Sequence, residues 1–420
     1  MACGAALNMK RSGIRVSSEQ KKTGCELKEL LKSARELDAS LRRIRREIHR
    51  NPEVSGEERE TAALVVRELT ACGCYEIREH VAGYGVIADL AGSTPGPVTA
   101  LRADMDALPV AEETGLFFAS EKPGKMHACG HDLHTAMLLG AAKLLAERKD
   151  EISGTVRLLF QPAEEDPALD GAVGMIRAGA LDGVSALFGM HIWPELPAGT
   201  FGIRPGEMMA ASDHFSVEVK GRGAHGATPH MGHDALLAGC QFVQAVQNII
   251  SRDIDPFEPA VITIGEFASG VKYNVLAGTC RLEGTIRSYS AGVRQKIKMR
   301  LEDVLSGICC AAGCRGELSY VSGHPAVMND PLLAGDCLTI AEEIFGTDNT
   351  IRLERPTTIS EDFSRYTEVV PAAFGFVGAT HPGERVWPLH SCYLSPDEDI
   401  MVYGAAMHCA FALTHCSGRQ

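Results

Sequence analysis

Cys129, His131, Asp132 and His134 fall within six residues of one another, just ahead of an apolar run that reads as a helix. Thiolate, imidazole and carboxylate are the side chains that bind transition metals, and a Cys-x-His pair supplies two of the three at once. Residues two apart on an extended backbone point the same way, so Cys129 and His131 can converge on one ion. A lone cysteine is more often a small buried hydrophobe. The density of ligand types on either side of Gly130 shifts the balance toward a metal site.

Further groups of this kind follow apolar runs: Asp104 and Asp106 after Val98–Ala103, Glu164 and Glu165 after Gly154–Phe160, and His191 after Ser185–Met190. Adjacent carboxylates on an extended chain face opposite ways. One can therefore bind metal while its neighbour takes a proton from water, the division of labour that hydrolysis needs. The alternative for Glu164 and Glu165 is a solvated acidic loop, and their position directly after a strand and Pro162 weighs against it. Asp106 either orients a ligand histidine from behind or caps a turn. His390 stands in a late loop and, taken alone, is more simply a structural histidine.

These residues need a scaffold. Helical periodicity runs from Glu26 to His49 and stops at Asn51-Pro52, since a residue before proline is pushed out of the helical region. A second helix covers Glu57 to Ala71, closed by Gly73. Strands at Gly85–Leu90, Val98–Ala103, Gly154–Phe160 and Ser185–Met190 alternate with helices, which implies an α/β fold with a mainly parallel sheet covered on both faces. Ligand sites in such sheets lie at the strand ends.

From Ala211 the order becomes β-α-β-β-α-β, with strands at His214–Lys220, Ala260–Phe267, Thr279–Ser288 and Glu317–Val321; this is a ferredoxin-like unit. The first pattern then returns with a strand at Ala372–Val377, the segment Pro388-Leu-His-Ser391 and a closing helix. The expected organisation is a flexible tail over residues 1–25, a catalytic domain from 26–210 and 325–420, and an inserted lid or dimerisation domain over 211–324.

At 420 residues the chain exceeds a typical single core, which fits two domains. A net charge of −13 argues against nucleic acid or an anionic membrane surface as partner. Fourteen cysteines without the spacing of a disulfide framework read as reduced thiols of a cytoplasmic protein, and Met1–Ser18 is too interrupted by Asn, Lys and Arg for a secretory segment. No apolar run is long enough for a membrane span.

The sequence resembles the metallopeptidase family of aminoacylases and glutamate carboxypeptidases, and within it the amidohydrolase branch of hippurate hydrolases, N-acetyl-diaminopimelate deacetylases and auxin-conjugate hydrolases. The resemblance covers residues from about 40 to 415. It rests on Leu101-Arg-Ala-Asp-Met-Asp-Ala-Leu-Pro109, His127-Ala-Cys-Gly-His-Asp132, Phe160-Gln-Pro-Ala-Glu-Glu165, Gly189-Met-His191, Gly223-Ala-His-Gly-Ala-Thr-Pro-His230, Ser360-Glu-Asp-Phe363 and Leu389-His-Ser391.

It implies two divalent ions (Zn, Mn, Co or Ni) on Cys129, His131, Glu165, His191 and His390, with Cys129 where peptidase branches carry a bridging Asp. Glu164 matches the general base and Asp106 the carboxylate beneath a ligand; Asp104 stands where other branches have a metal-binding His. His225 matches a histidine that polarises the scissile carbonyl, often in the partner subunit. Asn274 and Arg287 lie where an oxyanion-binding amide and a carboxylate-binding guanidinium are found. Leu133 and the Gly-Ala-His-Gly-Ala run depart from the common pattern, which touches substrate fit rather than chemistry.

The implied activity is hydrolysis of N-acyl amino acids by a homodimer. A dipeptidase or carboxypeptidase on the same scaffold is the alternative, with a non-catalytic conjugate binder as a third reading.

Overall fold

The computed structural model describes residues 18–416. Three helices come first: α1 (Ser18–Glu36), α2 (Asp38–Arg50) and α3 (Arg59–Cys72). The single long helix expected from Glu26 is thus broken by a turn at Leu37. Helix α1 also begins inside the segment expected as a tail, whose residues 1–17 lie outside the described part. Leu41, Ile44 and Ile48 of α2 recur every three or four residues and are buried, so one stripe of that helix faces the core. Gly73, at φ 71°, closes α3 in the left-handed conformation that glycine adopts without strain.

There follow β1 (Glu76–Val81), β2 (Gly85–Ala91), β3 (Thr94–Asp104), α4 (His131–Glu147), β4 (Ser153–Gln161), α5 (Gly171–Arg177), β5 (Val184–Pro197), β6 (Phe201–Ile203) and β7 (Gly206–Met209). After Ala210 come β8 (Ala211–Lys220), α6 (Ala235–Asn248), β9 (Ala260–Ser269), β10 (Thr279–Ser288), α7 (Ala291–Ala312) and β11 (Arg315–Ser322). The chain closes with β12 (Val327–Asn329), α8 (Pro331–Ile344), β13 (Thr350–Arg352), α9 (Ser364–Thr367), β14 (Ala372–Thr380) and α10 (Ile400–Cys416).

The large sheet has the order β1-β2-β4-β3-β5-β14-β6-β13. Its centre, β4, β3, β5 and β14, is parallel, while β1 and β2 pair antiparallel with their neighbours and β6 pairs antiparallel with β14 but parallel with β13. Short strands such as β6 and β13 carry too little periodicity to be legible in sequence. Helices α4 and α10 are buried nearly all round. A Cβ added at Gly140 of α4 would lie 2.8 Å from both Ala405 Cβ and Leu41 Cδ2. That is well inside van der Waals contact, so the missing side chain is what lets α4 approach α10 and α2.

The second sheet, β11-β8-β10-β9, is antiparallel throughout. Along β8, Ala211, Asp213, Phe215, Val217 and Val219 are buried while their neighbours are not, the period of two of a sheet with one covered face. Phe242 and Val246 of α6 and Ile297 and Leu301 of α7 supply the cover. The fold is therefore α/β, with a large sheet parallel at its centre and an inserted ferredoxin-like unit.

Candidate active site

Three segments converge at one end of the parallel strands. Asp104 ends β3 and Asp106 follows it; Glu164 and Glu165 follow β4; Cys129 and His131 straddle the start of α4. His191 lies within β5 rather than beyond its end, because β5 continues six residues further to Pro197. Gly130 makes the turn between Cys129 and His131 at φ 89°, and a Cβ there would stand 2.4 Å from Ile192 Cδ1. Only glycine fits that corner. The late loop is tied in by its backbone, with the His390 N–H donating to Ala128 O at 2.7 Å.

Two of the donor groups that these side chains form share one thiol. Cys129, His131 and His191 form one, Cys129, Glu165 and His390 the other, with candidate ligand atoms in each group within 4.8 Å of one another. Cys129 Sγ lies 3.3 Å from His191 Nε2, and Glu165 Oε1 lies 3.2 Å from His390 Nε2. The other ring nitrogen of His191 sits 2.6 Å from Ile192 O, which makes Nδ1 the protonated nitrogen and leaves the Nε2 lone pair facing Cys129.

His131 Nδ1 is 3.2 Å from Asp106 Oδ1. Asp106 in turn accepts from Ser55 Oγ at 2.7 Å and from the Glu165 N–H at 2.9 Å. Asp106 thus stands behind both His131 and Glu165, an orienting rather than a capping arrangement. Asp104, by contrast, is consumed by Arg102 and His134, each at 2.6 Å.

Burial sets the electrostatics. It drives the Glu164 carboxyl well above the usual range, with the charges of Glu361 and Glu165 adding to the shift. It also raises the Cys129 thiol, helped by Glu165 and Glu164, and holds His191 well below the usual imidazole value, assisted by His134. His131 goes the other way: burial opposes protonation, but the charge of Asp104 and the bond and charge of Asp106 outweigh it and raise the ring to about 10. The pocket is anionic enough to want a positive charge. His131 Nε2 is also buried without a hydrogen-bond partner, an unusual state for an interior polar atom. Imidazole, thiolate and carboxylate donors around this orphaned nitrogen fit divalent metal.

These residues open on a cleft of about 590 Å³ between the two sheet units, lined on one side by Cys129, Glu164, Glu165, His191 and His390 and on the other by Val261, Thr285 and Arg287. Arg287 therefore faces the cluster. His225 and Asn274 do not line this cleft. They lie together on the inserted unit, where the Gly226 N–H donates to Asn274 O at 2.8 Å, and His225 is exposed. Residues that sequence reasoning left without a role also gather here, notably Arg102, Glu361 and Asp362. Their signal was a pair of motifs, Leu101–Pro109 and Ser360–Phe363, that carried resemblance but no chemistry.

Residues 100–414 match the model of peptidase family M20/M25/M40. The chain is 42% identical over 351 residues to N-acetyl-L-cysteine deacetylase of Bacillus subtilis, spanning 84% of this chain and 82% of that one. It is 40% identical over 392 residues to thermostable carboxypeptidase 1 of Saccharolobus solfataricus, spanning 92% and 98%. The solved structure of a Bacillus subtilis dinuclear metal-binding peptidase of family M20 superposes with a TM-score of 0.79 at 34% identity, covering 91% of this chain and 99% of that one. With the family model spanning three quarters of its length and relatives of this closeness, the chain belongs to peptidase family M20/M25/M40.

Proposed function

We propose that this protein is a metal-dependent amidohydrolase that cleaves N-acyl amino acids to a carboxylate and a free amino acid. The observation that carries the reading is Cys129, whose thiol belongs to two of the three-donor groups at the cleft. Cys129, His131 and His191 would hold one ion, and Cys129, Glu165 and His390 a second. Zn, Mn, Co and Ni all suit this mixture of soft and borderline ligands. When bound, such ions supply Lewis acidity toward a water and the acyl carbonyl oxygen.

Glu164 acts as base and then as acid. It takes a proton from the attacking water and returns it to the leaving amine, a role that its raised affinity for protons suits. Asp106 keeps His131 and Glu165 oriented. Arg287 offers its guanidinium to the substrate carboxylate across the cleft, a pairing that arginine makes in bidentate fashion. His225 and Asn274 complete the site of the second subunit in a homodimer, polarising the carbonyl and binding the oxyanion.

In this reading residues 26–210 and 325–420 form the catalytic domain and 211–324 the inserted domain that pairs subunits and closes over substrate. A cytoplasmic location is supported by the twelve cysteines from Cys72 to Cys416, all of which are free. Among the described residues no helix is long and apolar enough to cross a membrane.

The 40% identity to a carboxypeptidase sustains a second reading, peptide hydrolysis at the same site. The deciding measurement strips metal with a chelator, restores Mn or Zn, and compares kcat/KM on N-acetyl and N-benzoyl amino acids with that on dipeptides of the same C-terminal residue. Faster turnover of the acyl amino acids is expected, and only in metal-restored protein. Faster dipeptide cleavage would select the second reading, and full turnover by stripped protein would remove the metal from the mechanism.

A further inference from the structure

Arg102 is fully buried on β3, and its guanidinium reaches four acceptors. Nε donates to Gln161 Oε1 at 2.9 Å, Nη1 to Asp104 Oδ2 at 2.6 Å, and Nη2 to both Glu361 Oε1 and Asp362 Oδ1 at 2.9 Å. Gln161 ends β4, three residues before Glu164. Its amide donates to both Asp362 oxygens, at 2.8 and 2.6 Å, and its carbonyl also accepts from Tyr366 Oη at 3.0 Å. Asp362 accepts in addition from the Ala172 N–H at 3.0 Å. The backbone of residues 361–362 is thereby fixed from several sides, and the Asp362 N–H donates to Glu164 Oε1 at 3.4 Å.

The other branch runs through Asp104. Its Oδ1 lies 2.6 Å from His134 Nδ1, and His134 Nε2 accepts the Ile192 N–H at 2.9 Å, one residue beyond His191. A single guanidinium thus ties the segment that holds Glu164 to the strand that carries His191. Three carboxylates, Asp104, Glu361 and Asp362, surround this one buried cation, an arrangement that is costly to desolvate unless its partners are held in good geometry.

We infer that Arg102, acting through Asp362, is a positioning residue that sets where Glu164 stands in the cleft. This rests on the proposed role of Glu164 as base. Lysine keeps the charge that the three carboxylates require, but as a point charge it cannot reproduce the planar fork that bonds Gln161, Asp104, Glu361 and Asp362 together. Hydrolysis depends on placement within a fraction of an ångström to about an ångström, and loss of that placement commonly costs about 10²-fold.

The test is a double-mutant cycle on the metal-restored, full-length protein, using Arg102→Lys, Glu164→Gln and both together, with Asp362→Asn as a second probe of the same contact should Arg102→Lys fold poorly. Arg102→Lys is expected to lower kcat by about 10- to 100-fold with KM, metal content and circular dichroism unchanged. In the Glu164→Gln background it should have no further effect, because groups that act as a unit are non-additive. Equal loss in both backgrounds would overturn the inference and make Arg102 a structural residue, as would a loss that appears in KM or metal content instead of kcat. If Glu164→Gln alone leaves kcat intact, the base assignment fails rather than the coupling. Asp362→Asn is read by the same cycle, and an additive loss there overturns the inference equally.

Discussion

Glu164 and Glu165 are neighbours in sequence with different surroundings. Glu165 sets Oε1 3.2 Å from His390 Nε2, and its backbone N–H donates to Asp106 Oδ2. Glu164 faces Glu361 and Asp362 and carries a carboxyl pushed well up by burial. The proposed roles follow from that difference. Glu164→Gln keeps size and hydrogen bonding but removes basicity, so turnover should fall by about 10² or more while metal stays bound. Glu165→Gln should release metal instead. Elemental analysis beside steady-state kinetics checks both, and the reverse pattern would exchange the two assignments.

Helices α2 and α4 are joined by a buried charge cluster beside His131. Arg45 and His49, one turn apart on α2, grip Asp132 in the first turn of α4, with Arg45 Nε at 3.1 Å and His49 Nδ1 at 2.8 Å from Oδ2. Asp132 at that position also meets the positive end of the helix dipole. For His49, burial opposes charge, but Asp132, by charge and hydrogen bond, and then Glu112 outweigh it and raise the ring to about 9. The unfolded value is about 6.5, so the folded protein holds the extra proton between these two limits. The contribution to stability is then complete below about pH 6.5 and is lost as pH rises through about 9. His49→Gln should therefore lower Tm more at about pH 6 than at about pH 10. Thermal melts of both proteins across that range check it; a constant or growing gap with pH would contradict the assignment of His49 as a charged partner of Asp132.

The whole molecule presents apolar surface where the inserted unit carries His225 and Asn274. Val271 is 89% and Tyr273 95% exposed beside Asn274, and Phe267 is exposed on β9, the edge of the small sheet. Grouped apolar exposure and an uncovered edge strand mark surfaces that pair with another chain, in keeping with the proposed homodimer. His225→Ala should abolish most turnover without loss of metal or fold. Mixing it with Glu164→Gln under conditions of subunit exchange should restore activity, because one site in each heterodimer regains both groups. Confirmed exchange without recovery would place the action of His225 within one subunit or remove it from catalysis.

The sequence by itself determined the pieces whose physics is local. Period-two and period-3.6 patterns marked β4, β10 and α7 nearly to their ends, whereas β3 begins four residues ahead of the expected Val98, and the Cys-Gly-His corner announced ligand chemistry because those residue types have few other reasons to crowd together. Short strands such as β6, β7 and β13 left no such trace. The turn at Leu37 and the continuation of β5 past His191 likewise depend on what each segment packs against rather than on its own composition. Only the tertiary structure decided that Cys129 is common to two donor groups, that Asp104 is spent on Arg102 and His134, and that Arg287 faces the cleft while His225 and Asn274 lie away from it. Convergence of this kind joins residues separated by as many as 261 positions, from Cys129 to His390, and depends on strand order and loop path, which no local pattern encodes.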